Sequence, residues 1–194
     1  MVKLKSAFYL NENVLEISKA LLGKKLCTQF DEAYTSGIII ETEAYAGITD
    51  KASHAYGGRR TQRTQTMYMK GGVAYIYLCY GMHHLFNIVT NQKDIPNAVL
   101  IRALLPVDGI TTMLKRRKKN KLDKTLSSGP GSLCQALGIT VHSDGTRLDS
   151  DKIWIENTTI DLKDYKITSS PRIGIAYAKE HALLPWRFCL KNVN

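Results

Sequence analysis

Apolar and polar positions along this 194-residue chain fall into short blocks whose period changes several times. After Asn11 and Asn13, either of which can cap a helix, Val14, Leu15, Ala20 and Leu21 fall at helical spacing. Lys24 to Phe30 then reads as a strand. Gly37 to Tyr45, opening on the β-branched run Ile38, Ile39, Ile40, reads as a second. A polar stretch holding Gly47, Asp50, Gly57 and Gly58 reads as a loop. Gly72 to Tyr80 and Leu85 to Thr90 are strands on either side of a Gly81 turn, which makes a hairpin. Ala98 to Leu105 is a further apolar strand, expected to stop at Pro106. Gly109 to Lys118 reads as a helix ending in a cationic run, and Lys121 to Ser128 as a polar, mobile loop. Pro130 to Leu137 reads as a helix with proline in its first turn and Gly138 as its stop. Ile153 to Glu156 is a short strand, Tyr177 to Leu183 a short helix, and Trp186 to Leu190 a closing strand. Strands dominate the middle and helices flank them. The pattern predicts an α+β fold: one compact domain over residues 1–194, with a curved, mostly antiparallel sheet.

Composition changes this picture only in its partners. Hydrophobic content of 44% and charged content of 23% are ordinary for a soluble globular protein. No apolar run approaches the ~20 residues of a membrane span, and Met1 to Ala7 lead into no long apolar stretch. A cytoplasmic protein with no membrane contact is therefore expected. A net charge of +10 points to a polyanion, with nucleic acid the first candidate, although a soluble basic protein carries the same excess. Cys27, Cys79, Cys134 and Cys189 are scattered, with no pair or nearby histidine at ligand spacing. That argues against a zinc or iron–sulfur site, and most are expected to be small buried hydrophobes.

Three segments carry candidate chemistry. In Glu41-Thr42-Glu43-Ala44-Tyr45, strand alternation puts Glu41, Glu43 and Tyr45 on one face. A solvated sheet face would carry the same residues. Tyr75 and Tyr77 likewise share a face, while Tyr80 has the opposite parity at the turn. Aromatic faces stack on bases and an aromatic at a hairpin tip can wedge between base pairs, yet tyrosines in strands also pack in cores. Arg59, Arg60 and Arg63 flank the glycine loop, and Lys115, Arg116, Arg117, Lys118 and Lys119 form a dense run. Either cluster could neutralise phosphates or simply be solvated.

Taken in order, these pieces resemble the alkyladenine (3-methyladenine) DNA glycosylase family. The likeness rests on Glu41 to Tyr45, Ala52-Ser53-His54-Ala55, Thr61-Gln62-Arg63 with Met67, and Tyr75-Ile76-Tyr77. It continues through Tyr80-Gly81-Met82-His83, Asn87, Val99 to Ala103, Ser128-Gly129-Pro130-Gly131 with Leu133, Pro171 to Ile175, and Pro185-Trp186-Arg187-Phe188. It covers nearly the whole chain, which is similar to a bacterial-sized member. Thr64 stands where the family often has asparagine, Leu85 where cysteine is frequent, and Lys93 to Pro96 is longer than in some relatives.

The resemblance implies a compact mixed α/β domain, not a helix-hairpin-helix one. It also implies roles: Glu43 as general base for the attacking water; Tyr45, His54 and Tyr77 as walls around a flipped base; Tyr80 as the intercalating residue. Asn87 would crowd the 2-amino group of guanine, and Arg102 would support the water network. Arg59, Arg60 and Arg63 are expected to contact the DNA backbone. The implied activity is repair of double-stranded DNA holding damaged purines: 3-methyladenine, hypoxanthine and ethenoadenine. The N-glycosidic bond would be hydrolysed to an abasic site through an oxocarbenium-like sugar. No lysine stands in these motifs to form a Schiff base, so a monofunctional enzyme is expected, with no metal or cofactor, acting as a monomer. The rival readings are a non-catalytic damaged-DNA binder and an RNA-binding protein of the same fold.

Overall fold

Asn13 is the residue that caps the first helix, α1 (Val14–Ala20). Its side-chain oxygen accepts from the backbone N–H of Leu15 at 3.0 Å and of Glu16 at 3.3 Å, an arrangement worth about 1 kcal/mol. Residues 2–158 and 163–193 are described in this computed structural model, and Met1, within the Met1 to Ala7 segment read above, lies outside them. Eight strands follow: β1 (Lys25–Phe30), β2 (Ala33–Tyr45), β3 (Ala74–Cys79), β4 (His83–Thr90), β5 (Asn97–Asp108), β6 (Ile153–Glu156), β7 (Tyr165–Ser170) and β8 (Arg187–Asn192). They form one antiparallel sheet in the order β3-β4-β5-β2-β1-β6. The far end of β2, Glu41 to Glu43, pairs instead with β8, which carries β7 at its edge. Helices α2 (Ile110–Arg117) and α3 (Pro130–Leu137) pack on each other beside this curled sheet, completing the α+β fold. Among the described residues no helix is long and apolar enough to cross a membrane.

Strand alternation divides the sheet into two faces. Ala44, Ala74, Ile76, Phe86, Ile88, Val99 and Ile101 point into the main core with α1 and α3. On the opposite face Tyr75 pairs with Asn87, Asn87 with Leu100, Leu100 with Glu43, and Glu43 with Arg187. Partners in one register row share a face, so this row runs across five strands on the side away from the main core. A smaller cluster of Ala55, Met67, Tyr68, Val73, Tyr75, Val89 and Ala98 supports it.

Several expectations need correction. Strand β5 does not stop at Pro106 but continues to Asp108. Gly37 pairs with Pro106 and Ser36 with Asp108, so the proline sits at a bulge, where its missing N–H is tolerated. Residues 121–128 are not a free polar loop. Leu126 and Ser127 are buried, and Ser127 exchanges hydrogen bonds with Leu104 at 2.8 and 3.1 Å. The segment after Ile175 is a 3₁₀ stretch, Ala176–Leu183, broken by Lys179 at φ 52°, rather than a regular helix. Strand β7 was not anticipated, because its polar sequence shows no core face. Of the cysteines, Cys27 and Cys134 are buried while Cys79 and Cys189 are only partly so. Helix α3 matches its expectation: Pro130 opens it and Gly138 closes it in the left-handed conformation.

Candidate active site

Tyr75, Asn87 and Leu100 of the site-facing row, with neighbours two residues on, line a cavity of about 440 Å³, within the ~300–1,000 Å³ span of small-molecule sites. Tyr45, Tyr75, Tyr77, Asn87, Leu100 and Arg102 come from the sheet. The loop after β2 adds His54, Arg63 and Met67, the hairpin turn adds Tyr80, and residues 173–177 add Ile173 and Tyr177. His54 meets the Tyr77 ring edge-on at 4.6 Å, and its Nδ1 lies 2.9 Å from the Tyr75 hydroxyl. Burial, then the charges of Arg63 and Arg59, lower the His54 imidazole to a pKa of about 4, so it is neutral at physiological pH.

Glu43 is fully buried and contributes no surface to the cavity. It sits one layer behind three residues that do line it. Tyr45 donates its hydroxyl to Glu43 Oε2 at 2.8 Å, the Ile173 backbone N–H donates to Oε1 at 2.8 Å, and Arg102 lies 3.4 Å from Oε1. Burial raises the Glu43 carboxyl above its ordinary value, and Arg102, Ile173 and Tyr45 offset only part of that rise. A carboxylate tuned upward in this way is a better proton acceptor than a solvated one.

Arg102 owes its placement to a bulge. Ile39 pairs with Leu104, Glu41 with Ala103 and Thr42 with Ile101, so Ile40 is the extra residue on β2 and Arg102 the extra one on β5. From there Arg102 reaches Glu41 at 3.0 Å as well as Glu43, and Arg187 also binds Glu41 at 3.0 Å. Bulges commonly re-aim side chains beside active sites.

The other candidate residues separate. Tyr80 stands at the β3–β4 turn with φ 50° and 88% of its surface exposed, and Met82 beside it is exposed too. Asn87 is buried and donates its amide to the carbonyls of Tyr75 at 3.1 Å and Leu85 at 3.4 Å. Arg59 is exposed, with no side-chain partner among the described residues. Arg60 pairs with Asp94 at 2.8 Å. Arg63 lies over the Tyr77 ring at 5.0 Å, inside the cavity. In the other basic cluster, Arg116 binds the Ala136 carbonyl, Arg117 binds Gln135, and Lys119 pairs with Asp123.

Sequence reading missed the Ile173 N–H and Tyr177 as parts of the site, and singled out Tyr75 without giving it a role of its own. It also missed a buried pair, Asp50 and Arg172. A backbone donor leaves no side-chain signal. Tyr75 was visible by parity with Tyr77, and Arg172 and Ile173 lay in a motif already singled out.

On this basic protein the site is thus an aromatic cavity, backed by a buried glutamate and rimmed by an exposed tyrosine. The family profile described as Methylpurine-DNA glycosylase matches residues 7–194, and the chain belongs to that family. A Chlamydia felis protein named "Putative 3-methyladenine DNA glycosylase" is 52% identical over 188 residues, covering 96% of this chain and 95% of the relative. A Bacillus cereus protein of the same name is 50% identical over 188 residues, 92% of this chain and 91% of the relative.

Proposed function

We propose that this chain binds double-stranded DNA containing a damaged purine and flips the lesion into the cavity. It then hydrolyses the N-glycosidic bond with a Glu43-activated water, leaving an abasic site. The substrates of this reading are alkylated or deaminated purines of the 3-methyladenine, hypoxanthine and ethenoadenine class, of which the first is in the name the relatives carry. The observation that carries it is the buried Glu43 carboxylate, held by three groups behind an aromatic cavity. Water reaches it between Tyr45, Arg102 and Ile173, the residues that touch both Glu43 and the cavity. There the carboxylate takes the water's proton and stabilises positive charge developing at C1′.

Tyr45, His54 and Tyr77 are the walls against which the base stacks. A purine made cationic by alkylation is drawn to electron-rich rings, and a neutral His54 adds no opposing charge. Asn87 crowds the 2-amino group of guanine. Tyr80 enters the gap in the duplex. Arg59 is free to reach a phosphate, whereas Arg60 must leave Asp94 and Arg63 must leave Tyr77 to do so. Among the described residues lining the cavity there is no lysine, which favours a monofunctional hydrolase.

The test is Glu43→Gln in single-turnover excision on a hypoxanthine-containing duplex, with abasic sites read on a gel. Lesion binding should persist while excision falls by at least the ~10²–10⁴-fold of general-base catalysis. Near wild-type excision by the variant would sink the assignment. Binding with no excision by the wild type would make the chain a damaged-DNA binder.

A further inference from the structure

Asp50 and Arg172 are fully buried, yet neither touches the cavity. The Arg172 guanidinium donates to both Asp50 carboxylate oxygens, with the Nη2–Oδ1 contact at 2.9 Å. It also donates to the Ala44 carbonyl at 2.7 Å and to the His181 carbonyl at 3.2 Å. Its Cζ lies over two rings, Tyr45 at 4.7 Å and Trp186 at 5.0 Å. Asp50 is anchored in turn by the backbone N–H groups of Ala52 at 3.0 Å and Ala46 at 3.3 Å. Burial pushes the Asp50 carboxyl up, but the hydrogen bonds from Arg172, Ala52 and Ala46 outweigh it and hold the group below the usual range.

These contacts converge on Glu43 from three directions. Ala44, whose carbonyl Arg172 holds, is the next residue along the strand. Tyr45, whose ring Arg172 stacks on, gives its hydroxyl to Glu43 Oε2. Ile173, the residue after Arg172, gives its N–H to Oε1. A pair serving packing alone has no reason to meet two of the three groups that hold one carboxylate together with the strand residue beside it. We propose that Arg172 and Asp50 are positioning residues that fix the Glu43 carboxylate for proton abstraction, by clamping the 171–175 loop onto the Glu43 end of β2. This inference rests on the reading of Glu43 as the base.

Arg172→Lys keeps the charge but loses the planar fork that meets Asp50, Ala44 and His181 together. The groups facing Glu43 are Tyr45 and Glu41 on its own strand, Arg102 on β5, Arg187 on β8 and Tyr177 on the 3₁₀ stretch. All remain in this variant. What is loosened is the hold on the Ala44 carbonyl, the Tyr45 ring and, through the neighbouring residue, the Ile173 N–H. A donor to the charged form lowers a carboxyl's pKa, so its loss moves the acid limb of the excision–pH profile upward, by about one unit. Expected are that shift, a fall of about tenfold or more in single-turnover rate, and duplex affinity within about threefold of wild type. An unshifted limb, with rate falling only as the folded fraction falls, overturns the inference and leaves the pair structural. If Arg172→Lys does not fold, Asp50→Asn leaves every group that faces Glu43 in place and removes the charged partner that holds Arg172: a shifted limb supports the inference and an unshifted one overturns it. If Glu43→Gln excises normally, the reading of Glu43 fails and this inference with it. If Glu43→Gln is inactive while the limb stays put, this inference alone fails.

Discussion

Removing a single oxygen, in Tyr45→Phe, isolates one of the groups that hold Glu43. The phenylalanine ring keeps the cavity wall and the stack beneath Arg172 at 4.7 Å, while the 2.8 Å hydrogen bond to Glu43 Oε2 is lost. A hydrogen bond to a charged acceptor contributes about 1.5–3 kcal/mol. At about 1.4 kcal/mol per pKa unit, its loss raises the Glu43 carboxyl by a further ~1–2 units. The carboxyl is already above its unfolded value because of burial. Stability tied to a raised carboxyl is fully present at low pH, where Glu43 is protonated, and is lost as pH rises through its folded value. The penalty of Tyr45→Phe is therefore largest at neutral pH, on the order of 1–3 kcal/mol, and shrinks on acidification. For a chain of this size each kcal/mol is about 2–4 °C in Tm. Two measurements follow: Tm against pH for both proteins, and single-turnover excision from about pH 5 to about pH 8. Excision by the variant should approach wild type at the alkaline end and fall tenfold or more below it on the acid limb. An unmoved limb, or a Tm difference that ignores pH, refutes the argument that Tyr45 tunes Glu43.

Tyr80→Ala alters a residue 88% exposed, so Tm should hold while excision falls, more on a matched than on a mismatched lesion, where flipping is easier. Equal losses on both duplexes would make Tyr80 only structural. Asn87→Ser should admit guanine lesions or raise excision of normal guanine, with a stability loss of about 0.5–1.5 kcal/mol from each of the two amide hydrogen bonds removed. Unchanged guanine activity would reject that role. Neutralising Arg59, Arg60 and Arg63 should lower the log–log salt slope of duplex binding by ~0.9 for each phosphate contact removed. A slope that responds only to changes at Lys115 and Lys118 would place the DNA face on the end of α2 instead.

Local signals carried much of the fold. Asn13 caps α1 as its sequence suggests, and Pro130 and Gly138 bound α3. Alternation put Glu41, Glu43 and Tyr45 on one face, and all three do meet the same network. What was not legible depends on contacts far apart in the chain. Asp50 and Arg172 are 122 residues apart, and each alone reads as a surface charge. Ile173 acts through its backbone, which every residue possesses. Leu126 and Ser127 sit in a polar stretch, and long-range contacts, with Leu104 and with α2 and α3, make them core. Arg63 reads as a phosphate ligand from its neighbours in sequence, and only the fold shows its guanidinium 5.0 Å from the Tyr77 ring.

Core and site are the two faces of one sheet, so their separation depends on register. A slip of one residue in β2 would turn Thr42 and Ala44 toward the cavity and drive Glu43 into the face that packs Ile76, Phe86 and Ile88. The register irregularities around Glu41 do not cause such a slip because they compensate. Ile40 is surplus on β2 and Arg102 on β5, so the row Tyr75, Asn87, Leu100, Glu43 is back in phase two residues later. The bulge thereby sets a cation against two carboxylates without disturbing the alternation on either side of it. Perfect pairing through this stretch would seat Arg102 opposite a single residue and within reach of fewer partners. This departure from regular strand geometry, which alternation alone does not reveal, is thus the feature that brings the Arg102 charge to Glu43.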